Sequence, residues 1–152
     1  MGKMRILIVD DDKDIIRMLE FNLKKLSANY HVGAVKNTDL ALKKIEEEWF
    51  DLVLTDYMMP GMTGVDLARA VHRLSPDTQI ILMTAYSSSK LRSTSNHVGF
   101  DGFLNKPFDM GQLRKMVEKA MAETNEIFWQ ELIILLRVRE IVPKKNAQQN
   151  VL

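Results

Sequence analysis

A few side chains in this sequence could hold and transfer a charged group, and each stands at the end of a short apolar run. Asp10 and Asp11 follow Met4 to Val9, Asp56 follows Leu52 to Thr55, Thr84 closes the run from Thr78, and Lys106 follows Phe100 to Asn105. Three carboxylates brought together repel one another unless a cation sits among them. Oxygen donors with no His or Cys beside them suit Mg²⁺, which takes few carboxylates and keeps several waters. Lys106 would bring a second positive charge from the opposite side, and the Thr84 hydroxyl could donate to a phosphoryl oxygen. A carboxylate nucleophile at 56, a metal, a lysine and a hydroxyl donor make a phosphoryl-transfer site that works by placement and charge neutralisation. Each residue also has a plain reading alone. The acidic triplet could cap a helix, a role that Asp12 fits best, Lys106 could be a solvated loop lysine, and Thr84 a β-branched strand end. Their coincidence at one sheet edge is what favours a site.

That edge requires strands alternating with helices. Met4 to Val9 is a near-continuous apolar run, as expected of a strand buried on both faces. Ile15, Leu19, Leu23 and Leu26 then recur at helical spacing, giving a helix over about Lys13 to Ser27. Tyr30 to Val35 reads as the second strand. Asn37 or Thr38 can cap a helix with Leu40, Ala41, Ile45 and Trp49 on its buried stripe. The third strand runs from Leu52 to Thr55, and the turn signal Pro60-Gly61 follows. Thr63 caps a helix carrying Val65, Leu67, Ala68, Val71 and Leu74, and Ser75-Pro76-Asp77 turns the chain into a fourth strand, Thr78 to Thr84. Ser87 to His97 is a poor helix, rich in Ser, with Leu91 and Val98 as its main anchors. Phe100 to Asn105 is the fifth strand, and Asp109 caps a final helix with Leu113, Met116, Val117 and Ala120. No hairpin signal separates the strands. The pattern predicts an α/β (βα)5 fold, a flavodoxin-like doubly wound parallel sheet of order 2-1-3-4-5 with helices on both faces and a C-terminal helical extension. Its crevice lies between the first and third strands, both of which end in Asp.

Five matches, in order and on the right elements, carry a resemblance to a known family. They are Ile6-Leu7-Ile8-Val9-Asp10-Asp11, Asp56-Tyr57-Met58-Met59-Pro60-Gly61 with Gly64, Thr84-Ala85, and Lys106-Pro107-Phe108. From about Met4 to Met121 the chain resembles the receiver domains of bacterial two-component response regulators. The resemblance implies that Asp56 accepts a phosphoryl group from a histidine kinase or phosphotransfer protein. It implies that Asp11, Asp56 and the main-chain carbonyl of Met58 ligate Mg²⁺, that Asp10 helps through water, and that Lys106 pairs with Asp56 or the phosphate. The Lys106-Pro107 bond resembles the family's cis peptide. Thr84 would be drawn inward on phosphorylation and Phe103 would turn into the vacated space, where an aromatic without a hydroxyl can bury with no polar partner. Met58 and Tyr86 lie two residues beyond Asp56 and Thr84, where side chains flank the path of attacking water; both are bulky, which predicts slow autodephosphorylation. An Asp-nucleophile phosphatase would want a second Asp two residues after the first, and Met58 stands there. That makes the chain a signalling phosphoacceptor rather than an enzyme with turnover. A non-phosphorylated interaction module of the same fold would not need the complete set of Asp10, Asp11, Asp56, Thr84 and Lys106.

Composition limits the remainder. The chain has 152 residues, 46% apolar and 27% charged, with net charge +1, which suits one soluble domain and gives no bulk attraction to nucleic acid or membrane. There is no cysteine, which excludes disulfides and thiolate metal sites and is compatible with the cytoplasm. No signal peptide and no membrane span is expected. His31, His72 and His97 match no metal spacing and read as surface residues, and the methionines read as core filler. We expect a receiver domain at 1–121, a helical extension at 122–143 serving dimerisation or as a linker, and a disordered tail at 144–152. Ile127-Phe128-Trp129 and Leu132 to Leu136 are apolar nearly all round a helix, so the extension either folds back on its own domain or forms an interaction surface. Residues 117, 124, 131 and 138 and residues 120, 127, 134 and 141 form a heptad flawed by Thr124 and Glu131. A homodimer through this helix, or through the face made by the Ser-rich segment, fifth strand and final helix, is compatible with the pattern. Nothing resembles a basic recognition helix, so no direct nucleic-acid binding is expected.

Overall fold

Leu7, Val9, Val53 and Ile80 pack on one side of a sheet while Ile6, Ile8, Leu52, Leu54, Ile81 and Met83 pack on the other. Successive strand residues point to opposite faces, so a run that is apolar at every position must be covered twice. The computed structural model describes residues 3–86, 91, 93 and 97–141. In chain order the elements are β1 (Met4–Val9), α1 (Lys13–Leu26), β2 (Tyr30–Val35), α2 (Thr38–Glu47), β3 (Leu52–Asp56), α3 (Gly64–Leu74), β4 (Gln79–Thr84), β5 (Gly102–Asn105) and α4 (Met110–Ile141). All strand pairs are parallel and the order is β2-β1-β3-β4-β5, as predicted. One face is covered by Leu19 and Leu23 of α1 with Leu113, Val117, Ala120 and Met121 of α4. The other is covered by Ala41 and Ile45 of α2 with Leu67, Ala68 and Val71 of α3. Each such side chain taken from water contributes roughly 1.5–3 kcal/mol for the larger types.

The helix starts are set by the side chains expected to set them. Asp12 accepts from the backbone N–H of Asp14 and Ile15, and Thr63 from that of Asp66. Asn37, not Thr38, caps α2 by accepting from Leu40 N, while Thr38 is buried. At α4 the cap is reciprocal: Asp109 Oδ1 accepts from Gln112 N at 2.8 Å, and Gln112 Oε1 accepts from Asp109 N at 3.0 Å.

Some expectations need correction. Leu40, Leu74 and Trp49 are exposed rather than on buried stripes. The buried line of α2 runs through Thr38, Ala41 and Ile45, so Leu40 falls off it, and Trp49 lies beyond the helix end, where helical phase no longer applies. Arg5 instead sits 5.3 Å from the Trp49 ring and is ion-paired to Glu48. β5 begins at Gly102, because the Asp101 carboxylate itself accepts the Ile80 N–H at 2.6 Å. His72 is half-buried, with Nε2 2.9 Å from the Gly99 carbonyl, while His31 and His97 are exposed.

Residues past Met121 continue α4 without interruption, and no Pro occurs between Lys106-Pro107 and Pro143 to stop it. Ile133, Ile134 and Leu135 are exposed, so they do not fold back on the domain. Most of the Ser-rich segment, at 87–90, 92 and 94–96, lies outside the described residues; its anchors Leu91 and Val98 are buried. Also outside them are residues 142–152, with the polar tail, and the side chains of Ile127, Phe128, Trp129, Leu136, Val138 and Ile141.

Candidate functional site

The C-terminal edge of the sheet gathers the predicted residues. Asp10 directly follows β1, where its backbone N–H donates to Val35 O at 3.2 Å. Asp56 is the last residue of β3, in register with Met83. Thr84 ends β4 beside Asn105, and Lys106 N donates to Thr84 O at 2.7 Å. The Lys106-Pro107 peptide is cis.

Lys106 Nζ lies 3.0 Å from Asp10 Oδ2 and 3.1 Å from Asp56 Oδ1. The Asp10 side chain is 1% exposed and that of Asp56 13%, so the ammonium joins two carboxylates largely withdrawn from water. Asp10 Oδ1 also accepts from Asp12 N at 2.9 Å. Asp11 is exposed, yet one carboxylate oxygen from each of Asp10, Asp11 and Asp56 lies within 4.8 Å of the others. An all-oxygen, triply acidic donor set of this kind fits a hard divalent cation.

Burial pushes the Asp56 carboxyl above the usual carboxylate range; the hydrogen bond and charge of Lys106 pull it down, and the Asp10 charge pushes it up again. For Lys106, burial opposes the charged form. Its hydrogen bonds to Asp10 and Asp56, and their charges, outweigh that and raise its pKa. Asp56 is thus a carboxylate held short of full neutralisation.

The loop after β3 is held by close backbone approach. Tyr57 N donates to Met83 O at 2.8 Å, and Gly64 N to Tyr57 O at 2.9 Å. A Cβ at Gly64 would overlap the Asp56 carbonyl oxygen and lie 2.9 Å from Leu82 Cδ1, so only glycine lets α3 start this near the end of β3. Gly61, at φ +89°, makes the intervening turn.

Thr84 is buried, and its Oγ1 accepts from Tyr86 N at 3.0 Å, leaving its O–H to donate. Met58 and Tyr86 are both more than half exposed, and the Tyr86 ring stands edge-on to Tyr57, with centroids 5.9 Å apart. Phe103 is half-buried, its ring against Phe100 at 5.3 Å between centroids. The Tyr57–Tyr86 contact has no sequence signal, since it depends on where two loops meet.

The family described as "Response regulator receiver domain" matches residues 6–118. The chain belongs to that family. This receiver domain is 37% identical over 117 residues to the response regulator receiver protein CpdR of Brucella abortus, covering 77% of this chain and 96% of CpdR. It is 34% identical over 125 residues to the response regulator protein PilR of Pseudomonas aeruginosa, covering 82% of this chain but only 28% of PilR. Among solved structures it superposes on a CheY-like receiver domain protein of Methanospirillum hungatei with TM-score 0.76 and 31% identity, over 82% of this chain and 98% of that one. Response regulator TrrA of Thermotoga maritima, solved in complex with Mg(2+)-BeF, gives TM-score 0.68 and 33% identity over 77% and 98% of the two chains. The fold is CheY-like, and the chain is a receiver domain of the two-component response regulator family. Among the described residues no helix is long and apolar enough to cross a membrane.

Proposed function

We propose that this receiver domain takes a phosphoryl group onto Asp56 from the phosphohistidine of a sensor kinase or phosphotransfer protein in the cytoplasm. A carboxylate oxygen of Asp56 attacks phosphorus, the P–N bond breaks, and the imidazole leaves with the electron pair, so Asp56 becomes an acyl phosphate. Water later attacks phosphorus, returning the carboxylate and inorganic phosphate. Mg²⁺ would be held by Asp10, Asp11 and Asp56 with the Met58 carbonyl; bound there, it neutralises charge on the transferred group. Lys106 turns from its bridge between carboxylates to the phosphoryl oxygens, and the Thr84 hydroxyl donates to one of them. The observation that carries this reading is the Lys106 ammonium in contact with both Asp10 and Asp56, beside a third carboxylate.

The switch follows from the same residues. Withdrawal of the Thr84 side chain toward the phosphoryl group frees space that Phe103 can enter, and the changed surface controls an output domain or partner. Residues 122–143 act as a dimerisation helix or linker. The chain spans about 28% of the length of PilR and of the Salmonella ZraR, but 96% of that of CpdR.

Incubation with Mg²⁺ and acetyl phosphate tests the proposal by mass spectrometry. One phosphoryl group should be retained on the wild type and none on Asp56→Asn. No labelling, or equal labelling of the variant, would remove Asp56 from this role. Replacing Met58 and Tyr86 together with small polar residues should shorten the lifetime of the acyl phosphate, about tenfold if each change removes roughly 0.7 kcal/mol of barrier.

A further inference from the structure

The first turns of α4 are covered by the sheet, with Leu113, Val117, Ala120 and Met121 buried. Farther along, the consecutive residues Ile133, Ile134 and Leu135 are 48%, 60% and 65% exposed. Adjacent residues on a helix stand about 100° apart, so these three present roughly 200° of apolar surface. Surface of this kind marks an interaction site.

The charges on either side say what covers it. Glu123, Glu126 and Glu131 precede the patch; Arg137 and Arg139 follow it, with Glu140 the exception. A helix that is acidic before an apolar centre and basic after it is complementary to itself turned end for end. We propose that the C-terminal halves of α4 from two copies of this chain pair antiparallel about Ile134. The apolar patches then meet at the two-fold axis, and position 131 of one copy lies opposite position 137 of the other. A parallel pair would set acid against acid and base against base. The antiparallel contact uses the same surface on both copies and closes on itself as a dimer. It is also free of collision. The middle of the covered part of α4, near Met116, is 18 residues from the axis, so the two domains stand about 54 Å apart at 1.5 Å per residue. A folded unit of roughly 115 residues has a radius of gyration of only about 13 Å.

Sedimentation of the full chain over a range of concentrations should show twice the chain mass. Ile134→Glu should raise the dimer Kd by about thirtyfold or more, the effect of losing a central interface side chain. Its domain should keep the circular dichroism of the wild type and its labelling at Asp56. Orientation is read by cross-linking, which is clean because the chain has no cysteine. Ile127→Cys mixed with Ile141→Cys should form a disulfide between copies, and neither variant alone should do so. Cross-linking of Ile127→Cys with itself indicates a parallel pair and overturns the proposal. A wild type that stays monomeric at every concentration, with the patch bare or taken by another protein, overturns it too.

Discussion

Lys106 holds two nearly buried carboxylates at once, and removing it would leave both without a counter-charge. Truncating one partner of a buried ion pair costs about 3–5 kcal/mol; with the Lys106 side chain 22% exposed, we expect Lys106→Ala to cost about 2–3 kcal/mol in unfolding measurements without Mg²⁺. Added Mg²⁺ should recover part of that loss and should help the variant more than the wild type, because it replaces the missing positive charge. Asp56 behaves in the opposite sense. Burial and then the Asp10 charge raise its pKa against the pull of Lys106, so its ionised form weakens the fold. A group whose pKa is raised on folding favours the folded state while protonated, and that contribution is lost as pH rises through the folded value. Asp56→Asn should therefore melt above the wild type at neutral pH, by about 2–4 °C for each kcal/mol relieved, and the gap should close in acid. A wild type that melts higher than the variant at neutral pH would contradict this sign.

At the scale of elements, closeness matters more than composition. α3 begins against the last residue of β3, and the Gly64 Cα fills the available space. Gly64→Ala should cost at least about 2 kcal/mol, since the atoms it would meet are the Asp56 carbonyl and a core leucine. A stability equal to wild type would mean that the loop shifts freely, and the placement of Asp56 with it. The strands were readable from residue order because each is an apolar run that ends on a polar group, as at Val9-Asp10 and Thr55-Asp56. The caps at Asp12, Thr63 and Asp109 were readable because a side-chain oxygen before a helix has few other uses. Trp49 and Leu40 were misread because helical phase was carried past, or across, the true buried line. The Tyr57–Tyr86 contact and the Asp101 carboxylate replacing a strand hydrogen bond were not readable, since both depend on the distance between loops far apart in sequence. In the site, the gathering of Asp10, Asp11, Asp56 and Lys106 followed from topology alone: parallel strands deliver their ends to one edge.

At the scale of the molecule, the sheet is a rigid plate sealed on both faces, with the acidic pocket at one edge and α4 leaving it. The reciprocal cap at Asp109 and Gln112 seats that helix three residues after Lys106. From there it runs 32 residues as one rod, about 48 Å at 1.5 Å per residue. A rod anchored beside the pocket acts as a pointer. A tilt of about 5° at its seat, which a turning lysine could cause, swings the far end by about 4 Å. Spin labels at the tip of α4 and on α2 should report that swing when acetyl phosphate and Mg²⁺ are added; an unchanged separation would mean that the movement dies out in the covered turns. The length of this one helix thus sets the gain with which a small rearrangement among buried charges is read elsewhere.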